Sequence, residues 1–175
     1  MTSFIIKAHA HRAAPDSWKP EPGCPFCRII HGQAPAFKVY ETEKVIAVLD
    51  ILPLRPGHTL VIPKTHVARV SELPPDFAGA IGEAVSKVAH AITQAMDNTG
   101  LNVVCNQEYA QAVPHVHYHI IPAPKFTDSP TEDFKGDHVT LALSQKEMHK
   151  AEYESRDELD QELGKDIAQR IRARL

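Results

Sequence analysis

The stretch His115-Val116-His117-Tyr118-His119-Ile120-Ile121-Pro122 alternates three histidines with bulky β-forming residues before a proline. Successive side chains of a β-strand point to opposite faces, so the pattern predicts a strand with all three histidines on one face. Neighbouring histidines would then be about 6.6 Å apart, and the outer two about 13 Å. A zinc–nitrogen bond measures about 2 Å, so one ion does not easily bind all three rings. The three imidazoles are therefore expected to have different roles.

Taken singly, each of these histidines is more simply a hydrogen-bonded structural residue. Three on one face are different, because imidazole is hydrated and partly charged near neutral pH. Such a row is a poor wall for a core and a good wall for a site that binds an anion. The pattern therefore favours function over structure.

Two other segments accompany this stretch: Cys24-Pro25-Phe26-Cys27, and the sequence GHTLVIPKTH over 57–66. In this order the three segments resemble the CxFC, GHxLxxPKxH and His-φ-His-φ-His-φ-φ motifs, with φ apolar, of the histidine triad (HIT) family of nucleotide hydrolases and transferases. The resemblance covers about residues 22–124, and the cysteine pair leans toward the zinc-binding, Hint-like branch. It implies a five-stranded antiparallel sheet with two helices, and usually a homodimer that extends the sheet.

The chain's 175 residues are 43% hydrophobic, which predicts one domain with a proper core. Its 19 basic and 22 acidic residues give a net charge of −3, so neither nucleic acid nor a membrane surface is an expected partner. The apolar run Phe4-Ile5-Ile6 is too short for a signal peptide, and no stretch approaches the length of a membrane span. We expect a cytoplasmic location that extends to the nucleus.

Residue periodicity predicts an α+β fold of sheet and helices. Three parts are expected: an N-terminal extension over 1–21, a HIT domain over 22–125, and a C-terminal extension with a helix over 126–175. The predicted elements of the domain are a short helix over 24–30, strands over 37–41, 45–50, 58–62 and 101–106, a long amphipathic helix through 76–96, and the histidine strand.

The C-terminal extension contains Ser155-Arg156-Asp157-Glu158, a capping-box pattern that predicts the start of a helix. An apolar stripe at four-residue spacing follows it. We expect this helix to pack on the domain or on a partner subunit. The stripe consists of Leu159, Leu163, Ile167, Ile171 and Leu175.

Cys24 and Cys27 have the spacing of a zinc knuckle, but a second pair is missing. A thioredoxin-like redox pair and two inert cysteines are the alternatives. The resemblance implies a structural zinc with Cys24, Cys27, His66 and His115 as ligands. Four protein ligands leave no open position for a substrate, so the chemistry would belong to the other histidines.

For those histidines the resemblance implies catalytic roles. His117 would attack the α-phosphorus of a nucleotide and form a nucleotidyl-histidine, which water then cleaves. His119 would hydrogen-bond the phosphoryl oxygens and help to protonate the leaving group. Matching positions also imply nucleotide-binding residues: Asp50 for the ribose hydroxyls, Asn106 for the phosphate, Gln111 in the loop before the triad, and Ile29, Val48 and Ile51 around the base. For Asp50 a turn, and for the three apolar residues core packing, are alternative interpretations.

The chain departs from the family pattern in the loop that precedes the triad. The family often has Gly-Gln-Ser or Gly-Gln-Thr where this chain has Ala110-Gln111-Ala112. The hydroxyl that would donate to the phosphate or leaving group is absent at Ala112, which bears on the phosphoramidase rate. The loop over 107–111 also lacks glycine, so a less close approach of its backbone to phosphate is expected.

The leading interpretation is a purine nucleotide phosphoramidase of the Hint-like branch. A Fhit-like dinucleoside polyphosphate hydrolase is the nearest alternative, and a nucleotide-binding or scaffold protein with vestigial activity is another. A metal-transport or sensing protein that uses the HxHxH face is a fourth. His119 replaces the glutamine of the uridylyltransferase branch, and the lack of a second CxxC and of a basic tail disfavours an aprataxin-like deadenylase.

Overall fold

The computed structural model describes residues 23–108, 110–124, 150, 153–154 and 156–175. Five antiparallel strands form one sheet in the order β1-β2-β3-β5-β4. This architecture confirms the predicted α+β fold. The strands are β1 Lys38–Glu41, β2 Val45–Leu49, β3 Thr59–Pro63, β4 Leu101–Cys105 and β5 Tyr118–Pro122; the helices are α1 Pro25–Ile30, α2 Pro75–Met96 and α3 Gln161–Arg172, with a 3₁₀ turn at Val70–Glu72.

The sheet separates two apolar clusters. On one face α2 and α3 cover alternate residues of the strands, among them Ala47, Val61 and Ile120. On the other face α1 covers the residues in between, such as Ile46 and Leu60. Because both faces are covered, β2 and β3 are buried along their whole length. The second face continues toward the histidines.

Helix α2 is amphipathic, as predicted. Its buried positions include Ile81, Val88 and Ile92, at the expected helical spacing. The helix ends at Met96, and its C-cap, Asp97, adopts a left-handed backbone (φ 49°). No helix among the described residues combines the length and apolar character needed to cross a bilayer.

The C-terminal helix begins later than predicted. Its N-cap is Asp160, whose carboxylate accepts hydrogen bonds from the backbone N–H groups of Glu162 and Leu163. Residues 156–160 are not helical, and Ser155 lies outside the described residues. The capping-box interpretation was therefore wrong about where the helix starts.

Helix α3 packs on the domain itself, against α2 and β1. Ile167 and Ile171 are fully buried in the cluster beneath α2, whereas Leu163 and Leu175 are exposed. Gly164 allows the close approach, because a Cβ there would lie 2.6 Å from the Phe37 ring. The extension is thus fixed to the sheet that carries the histidines.

Strand β5 is shorter than predicted. It starts at Tyr118, so His115 and His117 precede it and only His119 lies in the ladder. Pro114 has no N–H to donate, and the His115 N–H turns back to the Val113 carbonyl at 2.8 Å, which prevents an earlier start. Strand β4 is at the edge of the sheet and pairs with β5 but with no other described strand. The homodimer that the resemblance implies stays a prediction.

Candidate active site and metal centre

A cavity of about 240 Å³ opens at the end of the sheet where β5 begins. Ligand pockets usually measure about 300–1,000 Å³, so this one suits part of a small metabolite. Four segments supply its polar walls: the loop after β2, the end of β4, the histidine segment and the C-terminal extension. The polar side chains of these walls include Asp50, His58, Asn106, His117, His119 and Arg156.

His117 is held in one tautomer. Its Nδ1 lies 2.6 Å from the carbonyl oxygen of His115, and since a carbonyl can only accept, Nδ1 must carry the proton. The lone pair is therefore on Nε2. Burial lowers the pKa of His117 below its usual value, which keeps the ring neutral at neutral pH. A neutral imidazole with a free Nε2 is a competent nucleophile.

A chain of hydrogen bonds orients His119. The Leu54 N–H donates to Nδ1 of His58 at 3.2 Å, which leaves the His58 proton on Nε2. That proton is donated to Nδ1 of His119 at 2.9 Å. The remaining proton of His119 is consequently on Nε2. The His119 ring lies 5.0 Å from the His117 ring, so this donor is next to the nucleophile.

Asp50 lies 3.5 Å from Nδ1 of His58, but the contact is not an ion pair. Burial is the main cause that lowers the pKa of His58 to about 3, so the imidazole is neutral. Burial also raises the pKa of Asp50. One carboxylate oxygen accepts the Leu52 N–H at 3.0 Å, and the group remains at the cavity wall as a hydrogen-bond acceptor.

The loop before the triad is braced from inside the protein. Gln111 is buried, accepts the Glu108 N–H at 2.8 Å and donates to the Ala68 carbonyl at 2.9 Å. Glu108 and Ala110 have left-handed backbones (φ 58° and 57°) that normally favour glycine. Arg69 bonds to Glu108 and secures the loop further. The loop therefore adopts a turn of the glycine-favouring type without glycine, and Ala110 and Ala112 line the cavity.

The predicted base-pocket residues do not line this cavity. Val48 is buried, and Ile29 packs beside it in the apolar cluster beneath α1. Ile51 is 59% exposed at the protein surface. Gln111 likewise supports the loop from behind. The binding roles of these four residues stay predictions, whereas Asp50 and Asn106 do face the cavity.

Cys24, Cys27, His66 and His115 converge on a second site, with their ligand atoms within 4.8 Å of one another. Sγ of Cys27 lies 3.1 Å from Nδ1 of His66 and 3.7 Å from Nδ1 of His115, and Sγ of Cys24 lies 3.5 Å from the latter. Ligands of a tetrahedral zinc with two sulfurs and two nitrogens are about 3.6 Å apart. The cluster can hold a metal ion.

The protonation of the cluster suits a cation. Nε2 of His115 lies 2.8 Å from the Pro63 carbonyl and must donate to it, so its Nδ1 presents a lone pair to the cysteines. Burial, and then the neighbouring Cys24, raise the pKa of Cys27 to about 11. Two adjacent thiols do not ionise together unless a positive charge compensates them. A bound metal would provide that charge.

The sequence profile of the HIT domain matches residues 31–126, more than half of the chain. The chain belongs to the HIT family. An adenosine 5'-monophosphoramidase of Candida albicans is 40% identical over 105 residues, which cover 57% of this chain and 69% of that protein. An adenylylsulfatase of Arabidopsis thaliana is 39% identical over 101 residues, 57% of this chain and 51% of that protein.

Among solved structures, a zinc-bound histidine triad family protein from Mycobacterium smegmatis superposes with a TM-score of 0.63 at 29% identity. The match covers 86% of this chain and 91% of that one. Family membership therefore has support from both sequence and structure, and the Candida and Arabidopsis relatives are both named as enzymes that act on adenosine nucleotides.

Sequence reasoning missed three residues of this HIT site. His58 belongs to the GHxLxxPKxH motif, and this position is a signal of function from which no role was predicted. Tyr153 and Arg156 line the cavity from the C-terminal extension. The sequence predicts Arg156 to be part of a capping box, and nothing local in the sequence indicates that it lines the same cavity as the triad.

The pH dependence of stability tests the neutral state of His58. Its pKa is about 3 in the folded protein and about 6.5 in an unfolded chain. Below pH 6.5 the unfolded chain therefore binds a proton that the folded protein does not, and stability is lost as the pH falls toward 3. Between about pH 7 and pH 5 this loss amounts to about 2 kcal/mol.

We expect His58→Gln to remove the loss of stability that His58 causes on acidification. The difference in free energy of unfolding between wild type and variant should then change by about 2 kcal/mol between pH 7 and pH 5. Urea titrations at both pH values measure it. A difference that does not change with pH would mean that His58 is not buried in its neutral form.

Proposed function

We propose that this protein hydrolyses conjugates of a purine nucleoside 5'-monophosphate at the α-phosphate, with a nucleoside phosphoramidate as the first substrate to test. One observation carries the proposal. The hydrogen bond from Nδ1 of His117 to the His115 carbonyl leaves Nε2 of His117 as a neutral nucleophile in a cavity. Covalent catalysis by imidazole needs that arrangement.

In the first step Nε2 of His117 attacks the α-phosphorus. A P–N bond forms to the histidine, and the bond between phosphorus and the leaving group breaks with its electron pair going to the leaving group. The His117 ring gains positive charge, which the His115 carbonyl stabilises through Nδ1–H. Nε2–H of His119 is placed to hydrogen-bond the phosphoryl oxygens or to protonate a leaving amine.

In the second step water attacks phosphorus and the P–N bond to His117 breaks. The electron pair returns to Nε2, the proton of the water leaves to solvent, and the nucleoside monophosphate is released. Asp50 and Asn106, both at the cavity wall, supply an acceptor for ribose hydroxyls and an amide donor for phosphate oxygens. The named activities of the Candida and Arabidopsis relatives support hydrolysis at an adenylyl group.

Release of AMP from adenosine 5'-phosphoramidate and from diadenosine triphosphate, measured side by side, tests this proposal. We expect release of AMP from the phosphoramidate, and the comparison shows whether a phosphate leaving group is also accepted. His117→Ala should lower the rate by at least about 10³-fold, because the nucleophile is lost. The matched control is His90→Ala, which removes an exposed histidine of α2 far from the cavity.

Loss of activity in His117→Ala with full activity in His90→Ala would support the mechanism. Activity that survives His117→Ala would rule out the proposed nucleophile. Binding of AMP without turnover of either substrate would favour a nucleotide-binding protein instead.

We also propose that Cys24, Cys27, His66 and His115 hold a structural zinc ion. The donor set, the 3.1–3.7 Å separations and the lone pair of His115 fit such an ion. With four protein ligands the metal would link α1 to the segment that carries the triad. It would fix the His115 carbonyl, on which the tautomer of His117 depends.

Metal analysis of protein purified without chelator should give about one zinc ion per chain. Cys27→Ser should lower the zinc content and destabilise the fold by about 2–5 kcal/mol, because a ligand is lost. Cys105→Ser is the control, since Cys105 lies outside the cluster. A zinc content near zero in the wild-type protein would contradict the proposal.

A further inference from the structure

Tyr153 and Arg156 reach the cavity from the C-terminal extension, far along the chain from the triad. Both line the same space as His117, His119 and Asp50. Neither residue takes part in the proposed His117 chemistry, although Arg156 adds a cation to the cavity wall.

The extension holds Arg156 in a defined place. Its guanidinium carbon lies 4.0 Å from the centre of the Tyr153 ring, and its Nε donates to the Tyr153 carbonyl at 3.2 Å. Just beyond it, the Leu159 N–H donates to the carbonyl of Ile51, the residue after Asp50, at 2.8 Å. Helix α3 then anchors the segment through Ile167, which is fully buried.

The charge of Arg156 is available to a ligand. Among the described residues no carboxylate lies within 4 Å of its guanidinium, and its one hydrogen bond to them uses Nε. The N–H groups of its two terminal nitrogens can therefore donate to a ligand. Its positive charge also acts on the cavity groups, because it contributes to the lowered pKa values of His58 and His119 and opposes the burial that raises the pKa of Asp50.

Residue 112 in the cavity wall is alanine, so the hydroxyl that the family often has at this position is absent. A leaving amine needs a proton, and Ala112 cannot take part in its delivery. An oxyacid anion, such as sulfate, a carboxylate or a phosphate, leaves without a proton and pairs with guanidinium through two parallel hydrogen bonds. Ala112 and Arg156 therefore favour the same class of leaving group.

We propose that Arg156, supported by Tyr153, binds the leaving group and makes the site selective for nucleotide conjugates whose leaving group is an oxyacid anion. The inference rests on the proposed function, since it concerns the same His117 chemistry. With adenosine 5'-phosphosulfate, Nε2 of His117 bonds to phosphorus, and the bond between phosphorus and the oxygen that bridges it to sulfur breaks. Sulfate departs with the electron pair, and water then releases AMP as before.

Two substrates with the same adenylyl group provide the test. The measured quantity is kcat/KM for adenosine 5'-phosphosulfate divided by kcat/KM for adenosine 5'-phosphoramidate. We expect Arg156→Gln to lower this ratio about 10- to 100-fold, because a charge-assisted hydrogen bond is lost on one substrate only. Arg156→Lys, which keeps the charge but not the paired donors, should retain part of the ratio.

Arg174→Gln is the matched control, since it removes the same charge from an exposed site on the same extension. It should leave the ratio unchanged. An equal fall of both rates in Arg156→Gln, or no change in either, would overturn the selectivity while the nucleotide hydrolase function stands. If the wild-type protein releases AMP from neither substrate, the proposed function itself fails.

Discussion

The site depends on one hydrogen bond, from Nδ1 of His117 to the carbonyl oxygen of His115 at 2.6 Å. Because a carbonyl only accepts, this bond fixes which nitrogen of His117 has a lone pair. The carbonyl in turn belongs to a residue whose ring is held by the Pro63 carbonyl on one side and by the Cys24 and Cys27 sulfurs on the other. The geometry of the cysteine–histidine cluster is thereby transmitted to the nucleophile over two residues of chain.

Burial gives these histidines a second common property, which is neutrality. It lowers the pKa of His115 to about 4 and that of His58 to about 3, and it lowers the pKa values of His117 and His119 as well. A charged imidazole would be a poor nucleophile and a poor metal ligand. Hydrogen bonds then decide where each remaining proton lies. The row of histidines thus works as a set of tautomers rather than as a positively charged patch.

Much of this arrangement was predictable from the sequence. The strands and α2 follow from apolar periodicity, and the cysteine–histidine cluster follows from motifs that are distant in sequence but belong to one family. The start of β5 was not predictable from alternation, because Pro114 and the turn at His115 interrupt the ladder before it reaches the first two histidines. The rings of His117 and His119 nevertheless lie next to each other, with their centres 5.0 Å apart.

The C-terminal extension shows where local reasoning fails. The capping-box pattern at 155–158 competes with Asp160, and in the structure Asp160 caps the helix. Arg156 consequently precedes the helix, and it lines the cavity. The other walls of that cavity come from the loop after β2 and from β5, so no short window of sequence contains the site. For Ala112 the sequence already shows that the hydroxyl is missing. Only the structure shows that this residue lines the same cavity as Arg156.

The covalent intermediate is the most direct test of this account. The protein is mixed with excess adenosine 5'-phosphoramidate, denatured within seconds and digested with a protease. The masses of the peptides are then measured by mass spectrometry under conditions that preserve phosphohistidine. We expect one adenylyl group on the peptide containing His117, located on that residue by fragmentation. Release of AMP by the wild-type protein with the adduct on another residue would contradict the account. Inversion of configuration at phosphorus in a single turnover would also contradict it, because inversion indicates direct attack by water.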